Sequence, residues 1–190
     1  MSISARNAIL AGGAAPGPTP AYWGLCFTAE ADNSSVQLTA EGSAPAVTLV
    51  KSFDGINWEA YAVGEVIDLP STGDLVYLAA GEGGNESFGS STSAYHKFVI
   101  NGLVAASGDI TSLRRFDLEQ TTLAKFCYSS MFNGCTDLSL IKVHFTAWGI
   151  QTTDWVTSVS SAGTFYKPSA LSEEFGESKI PTGWTVVNID

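Results

Sequence analysis

The sequence predicts a mainly β protein: an antiparallel sandwich or barrel first, then a stacked coil. Three observations carry this expectation. From Leu25 onward apolar and polar residues alternate with a period of two, the signature of a half-buried strand. Short runs of this kind then recur over about 80 residues, each bounded by Gly, Pro, Ser or Asp, as in antiparallel sandwiches. From about Gly108 the apolar spacing fits neither a helix nor a strand, which suits a solenoid of short strands and turns.

Residues 1–20 stand apart from this pattern. Ile3, Ile9 and Leu10 among alanines are enough for one or two helical turns, too short to hold alone in water. GGAAPGPTP comes next, an extended or flexible Gly/Pro stretch. The piece reads either as a disordered terminus or as a peptide that docks on a partner and tethers the rest of the chain. The single Arg6 and the brief Ile9-Leu10-Ala11 run do not make a signal peptide.

The strands begin after this piece. LCFTAE places Leu25, Phe27 and Ala29 on one face, and VQLTA does the same with Val36, Leu38 and Ala40. AVTLVKSF and INWEAY flank Asp54-Gly55, which predicts a hairpin closed by a type I′ turn. VIDL, DLVYLAA and YHKFVING are further strands, and GEGGNESFGSSTSA, residues 81–94, reads as a long exposed loop. In the last third, Leu113, Leu118, Leu123, Phe126, Met131, Phe132, Leu138 and Ile141 form the irregular apolar series, with Asn133-Gly134 as a turn. The tail closes with WVTSVSSAGTFYKP, an acidic SEEFGES segment, and IPTGWTVVNID, a final strand entered through a Pro-Thr-Gly turn.

Composition excludes some functions. Nineteen Asp and Glu against nine Lys and Arg give a net charge of −10, and Arg114-Arg115 is the one cationic cluster. A phosphate backbone or an anionic membrane needs a basic face, so neither nucleic acid nor a membrane is an expected partner. No apolar run approaches the roughly 18 residues of a spanning helix. Asn33-Ser-Ser and Asn85-Glu-Ser match the glycosylation pattern but carry no weight without a secretory address.

The chemistry-bearing residues are few. Cys127 and Cys135 in FCYSSMFNGCTDLSLI admit four readings: a metal clamp, a disulfide, a catalytic thiol or buried core residues. Their separation of eight is wider than zinc pairs use, and His144 does not complete a ligand set. Cys26, on an alternating strand, reads as core. His96, between Tyr95 and Lys97, reads as a half-exposed strand residue rather than a base. Glu173-Glu174 and Asp54 with Glu59 are available carboxylate pairs, and Asp54, Asn57 and Glu59 are possible calcium ligands. A turn is where such acids ordinarily sit, and the EF-hand spacing is missing. The chain is therefore expected to be no enzyme and to need no cofactor or metal. Of its aromatics, Trp58 and Trp184 read as packed, whereas Trp148 in HFTAWGIQ and Tyr166 in TFYKP are the candidate surface-contact residues.

TTLAKFCYSSMFNGCTDLSLI resembles one repeat of the BspA-like leucine-rich-repeat proteins of bacterial surfaces, through its Thr-Thr-Leu lead-in, its aromatic-Cys-Tyr-Ser-Ser-Met-Phe segment and its Asn-Gly-Cys-Thr-x-Leu. GTFYKPSALSEEFGESKIPTGWTVVN is similar to the closing segment of such repeats, and the stretch from LCFTAEADNSSVQL to FVINGLVAASGDITSL resembles a β-sandwich module that precedes them. The resemblance implies that Cys127 and Cys135 are buried ladder thiols beside Phe132 and Leu138. It also implies an N-terminal anchor peptide and Gly/Pro linker over residues 1–20, an Ig-like antiparallel β-sandwich over 21–107, and a truncated leucine-rich-repeat-like solenoid coil with a closing strand segment over 108–190.

One clear repeat is fewer than the three or so that bury a continuous core, so it has to lean on a neighbouring part of the chain or on another copy. The abbreviated layout resembles structural proteins of phages of gut bacteria. That resemblance implies a head fibre, a decoration protein or a tail-associated fibre of a virion. Such a protein would be anchored to other virion proteins through Ser2, Ile3, Ala5, Arg6, Ile9 and Leu10, would assemble as a homotrimer and would contact host glycan or protein. The alternative implied is a bacterial cell-surface adhesin or glycan-binding module.

Overall fold

The structure is a computed structural model and describes residues 25–82, 84–102, 104–107, 113, 123–138 and 140–189. The expected anchor residues Ser2, Ile3, Ala5, Arg6, Ile9 and Leu10 lie outside the described residues, as do Arg114, Arg115 and Leu118.

The protein is mainly β. Its strands begin with β1 (Leu25–Ala29), β2 (Ser34–Glu41), β3 (Leu49–Ser52), β4 (Glu59–Tyr61), β5 (Val66–Leu69) and β6 (Leu75–Ala80). They continue with β7 (Gly89–Ser91), β8 (Ala94–Asn101), β9 (Val104–Ser107), β10 (Leu140–Lys142), β11 (Thr164–Lys167) and β12 (Thr185–Asn188). One antiparallel sheet has the order β4-β3-β6-β1-β9, and a second has the order β5-β2-β8-β7. The third, β10-β11-β12, is parallel.

Alternation explains the two antiparallel sheets. Leu25, Phe27 and Ala29 of β1 and Val36 and Leu38 of β2 are buried, as their period of two requires. Phe27 meets Phe98 of the facing sheet with ring centroids 4.8 Å apart, and the Tyr61 hydroxyl of β4 accepts the Leu38 N–H of β2 at 2.8 Å. Ala40 keeps the face of Val36 and Leu38 but is exposed near the end of β2.

Three local expectations are corrected. The hairpin at Asp54-Gly55 forms, with β3 and β4 paired from Leu49↔Tyr61 to Lys51↔Glu59. Its loop is wider than a type I′ turn: Gly55 alone of the pair has a positive φ, +70°. Side chains rather than a tight backbone turn satisfy it. Asp54 Oδ1 accepts the N–H groups of Ile56 and Asn57 at 2.8 and 2.7 Å, and Ser52 Oγ accepts that of Gly55 at 2.9 Å.

Residues 81–94 are no exposed loop either. Phe88 within them is fully buried, Gly89–Ser91 forms the strand β7, and Asn85 is buried. Asn85 bonds the Thr48 N–H, the Thr48 carbonyl and the Leu113 carbonyl at 2.7–3.0 Å, so its amide is fully engaged in the fold. His96 is the third correction. It is 2% exposed, with its backbone N–H and its Nδ1 both on the Phe88 carbonyl. A carbonyl only accepts, so Nδ1 carries the proton.

The parallel part is built by successive passes of the chain. Phe165 lies beside Ile141, 24 residues earlier, and Val186 beside Phe165, 21 earlier. A bridge from Ala106 to Leu138 carries the parallel direction back to β9. A second line of rungs joins the same passes: Tyr128 to Gln151, Ser130 to Thr153, Phe132 to Trp155 and Gly134 to Thr157, each an N–H on a carbonyl at 2.8–3.0 Å. Three indole N–H groups add staples at a 24-residue offset, each 2.8 Å long: Trp148 to the Ser172 carbonyl, Trp155 to that of Lys179 and Trp184 to that of Ser160.

One core runs through all of this. Phe27, Phe98, Phe132, Trp155 and Phe165 form a chain of ring contacts with centroids 4.8–6.3 Å apart, from the antiparallel sheets into the parallel one. Backbone bonds reinforce the junction, from Phe88 N–H to the Cys127 carbonyl and from Phe98 N–H to that of Met131, both 2.9 Å.

Candidate functional site

The residues singled out from sequence fall at several places. Cys127 and Cys135 are free, buried thiols in the same core cluster as Phe132 and Leu138. Cys127 Sγ lies 3.6 Å from the Glu86 carbonyl and Cys135 Sγ 3.9 Å from that of Phe98. Burial pushes the Cys135 thiol up to about 12, which leaves it without a nucleophilic thiolate near neutral pH. Cys26 is also free and buried. Among the described residues no group of three His, Cys, Asp or Glu is placed to hold a metal ion.

Trp148 is half-buried. Besides its staple to Ser172, its ring packs on Phe145, Trp155 and Phe165, and Lys179 Nζ stands 5.5 Å from the ring centre. Lys179 also pairs with Glu174 at 2.9 Å. Tyr166 is half-buried on the outer face of β11, between Lys142 and Val187 in register, while its neighbour Phe165 points into the core. Trp148 packs with Phe165, so the two candidates lie on opposite sides of that strand.

A different place gathers polar and aromatic groups around open space. The β3–β4 hairpin bounds a cleft of about 300 Å³ lined by Lys51, Phe53, Asp54, Asn57, Trp58 and Glu59. Trp58 of this lining belongs to a small apolar cluster outside the main core, packed with Val50 and Ala79 and against Tyr77. Trp58 is held there partly by its indole N–H on the Gly55 carbonyl at 3.3 Å. Phe53 has no such cover and is 51% exposed, and Ile56 at the loop tip is 46% exposed.

The charges of the cleft are arranged by the turn. Asp54 accepts from Ile56, Asn57 and Ser52, and its Oδ2 takes the Asn57 side-chain amide at 2.6 Å. These donors hold its carboxyl well below the usual carboxylate range, the two backbone N–H groups contributing most. Lys51 is buried along its stem and pairs with Glu59 at 3.5 Å and, more closely, with Glu65. Its ammonium also stands 5.9 Å from the Phe53 ring centre. Lys51 loses some solvation by burial, and the two carboxylates outweigh that loss and raise it overall.

From sequence, Asp54, Asn57 and Glu59 stand out but read as turn and surface residues, and Lys51, Phe53 and Glu65 do not stand out at all. The signals present are a lysine inside the apolar run TLVKSF and a phenylalanine directly before Asp-Gly.

No family model, no curated protein and no solved structure matches the chain.

Proposed function

We propose that the chain is a non-enzymatic structural protein of a phage particle, a head fibre, decoration protein or tail-associated fibre. Residues 1–20 attach it to other virion proteins, and the β-rich remainder is displayed for contact with the host surface. In this reading the two antiparallel sheets are an Ig-like sandwich, and the later passes are a truncated BspA-like leucine-rich-repeat coil with a closing strand.

The observation that carries the reading is the parallel stack β10-β11-β12, with passes 24 and 21 residues apart, set on the same core as the antiparallel sheets. A repeat coil continuous with a sandwich is a stiff scaffold suited to holding one surface away from another. Among the described residues β12 pairs on one side only, and its free edge suits contact between copies, here in a homotrimer. The test compares full-length protein with protein lacking residues 1–20 in solution and on particles. The shortened protein is expected to stay folded and to lose particle attachment. If it still decorates particles, the reading fails.

The second reading, a bacterial surface adhesin or glycan-binding module, is favoured by the hairpin cleft with its exposed Phe53. Immunogold labelling of cells and of purified particles separates the two readings.

A further inference from the structure

We propose that the cleft at the β3–β4 hairpin binds one neutral sugar ring, a pyranose of a cell-surface glycan, stacked on Phe53 and hydrogen-bonded by Asn57 and Glu59. The inference deepens the host-contact reading and rests on it only for the source of the sugar.

Size comes first. A cleft of about 300 Å³ lies at the small end of ligand pockets. It has room for a single ring and not for a folded partner or a long peptide.

Charge comes next. Asp54 and Glu59 face the cleft with Lys51, and Glu65 backs the lysine, so the local balance is negative and a phosphate, sulfate or sialic acid is disfavoured. A ligand cation is disfavoured too, because the Lys51 ammonium already pairs with Glu59 and Glu65, the carboxylates that would hold one. What remains is a neutral, hydroxyl-rich molecule.

The polar groups match that chemistry. Asn57 gives one side-chain hydrogen to Asp54, and among the described residues its Oδ1 and other Nδ2 hydrogen have no bonding partner. Glu59 meets Lys51 through Oε1, and among the described residues its Oε2 is an open acceptor. A donor and two acceptors lining one cleft suit the neighbouring hydroxyls of a pyranose.

The apolar side matches as well. The C–H face of a pyranose needs an aromatic ring with one side open, and Phe53 is half exposed on a hairpin whose geometry is otherwise fully satisfied. Because Ser52 and Asp54 fix the loop beforehand, little ordering cost opposes binding.

The test is an amide NMR titration of the full chain. The probes are methyl α-mannopyranoside, methyl β-galactopyranoside, methyl β-glucopyranoside and N-acetylglucosamine, with N-acetylneuraminic acid as the anionic comparison. At least one neutral probe is expected to shift the amides of residues 53–59 saturably, with Kd on the order of a few mM. Phe53→Ala and Asn57→Ala should each weaken that binding about tenfold or more. Both side chains are exposed, and Asn57→Ala keeps the backbone N–H that Asp54 accepts, so both variants should retain the wild-type circular dichroism spectrum.

The proposal is overturned if no neutral probe shifts these amides at about 50 mM, if Phe53→Ala leaves binding unchanged, or if the anionic sugar binds as well as the neutral ones. Loss of the sugar site with particle attachment through residues 1–20 intact would sink this inference alone. A working sugar site on a chain that fails to decorate particles would sink the virion reading alone.

Discussion

Replacing Trp155 by phenylalanine tests whether the indole staples carry the coil. Trp155 is 0% exposed, and its ring meets Tyr128, Phe132, Phe145, Trp148 and Phe165 with centroids 6.1–6.4 Å away. Its N–H closes on the Lys179 carbonyl at 2.8 Å. Phenylalanine keeps an aromatic ring but removes that donor, and a part-buried carbonyl left without its partner costs about 1–2 kcal/mol. The smaller ring leaves a void of roughly 40 Å³, which at about 24 cal/mol per Å³ adds about 1 kcal/mol. The expected loss is therefore about 2–3 kcal/mol, a large share of a typical folding free energy.

Trp148→Phe is the internal control. Its N–H makes the same 24-residue staple, to Ser172, in exposed surroundings where water replaces it, so the loss should be about 1 kcal/mol or less. Urea unfolding followed by near-UV circular dichroism measures both. A Trp155 variant no less stable than the Trp148 variant would refute the reasoning. Because the Phe27–Phe98–Phe132–Trp155 path joins the sheets to the coil, hydrogen exchange should quicken in β1 and β8 as well as in β11. Unchanged exchange in β1 and β8 would mean that the two parts unfold independently.

Three further outcomes are expected. Lys167 is 4% exposed, and its ammonium meets the Leu171 carbonyl at 2.6 Å, Asn188 Oδ1 at 3.2 Å and the Pro168 carbonyl at 3.3 Å, so Lys167→Met should cost about 2–3 kcal/mol and loosen the end of the chain, read by denaturant unfolding. Burial holds His96 below its ordinary 6.5, so the unfolded chain takes up this proton first; the stability tied to neutral His96 is complete above about pH 6.5 and is lost as pH falls toward the folded value. Melting temperature should therefore drop between pH 6.5 and 5 in the wild type and drop less in His96→Asn; equal drops would refute this. Finally, protein purified without reductant should show three free thiols after unfolding and almost no reaction of Cys135 before it, whereas a Cys127–Cys135 disulfide in the intact mass would contradict the free pair.

The antiparallel part is legible because a period of two is a property of the local sequence. LCFTA, VIDL and LVYLAA announce their strands with no help from the rest of the chain. The segment 81–94 misleads because Gly, Ser and Asn there serve long-range contacts. Gly89 sits where a Cβ would come within 2.5 Å of the Phe126 carbonyl, and Asn85 reaches back to Thr48, 37 residues away. His96 reads as half-exposed from its neighbours because its cover, Phe88 and the coil behind it, comes from elsewhere in the chain. The hairpin cleft is half legible. Its acids are visible beside Asp-Gly, but the Lys51–Glu65 pair depends on how β3 and the loop before β5 meet, which no spacing rule gives.

The second pass of the coil is the least legible part, and its structure explains how so short a stack holds. Here each end of the stack is closed by a different device. At the start, the segment around Cys127 and Met131 hydrogen-bonds to Phe88 and Phe98, beside and beyond the short strand β7, so the coil covers a sheet edge that would otherwise be bare. At the finish, β12 lies parallel on β11, Trp184 reaches back to Ser160, and the Lys167 ammonium draws Leu171 and Asn188 together. The rungs between are backbone bonds that accept almost any sequence. Tyr128, Ser130, Phe132 and Gly134 share no side-chain chemistry, yet each donates the same bond to the next pass. A stack held this way needs specific residues at its ends and at its buried aromatics, and its backbone rungs place no demand on the side chains that carry them.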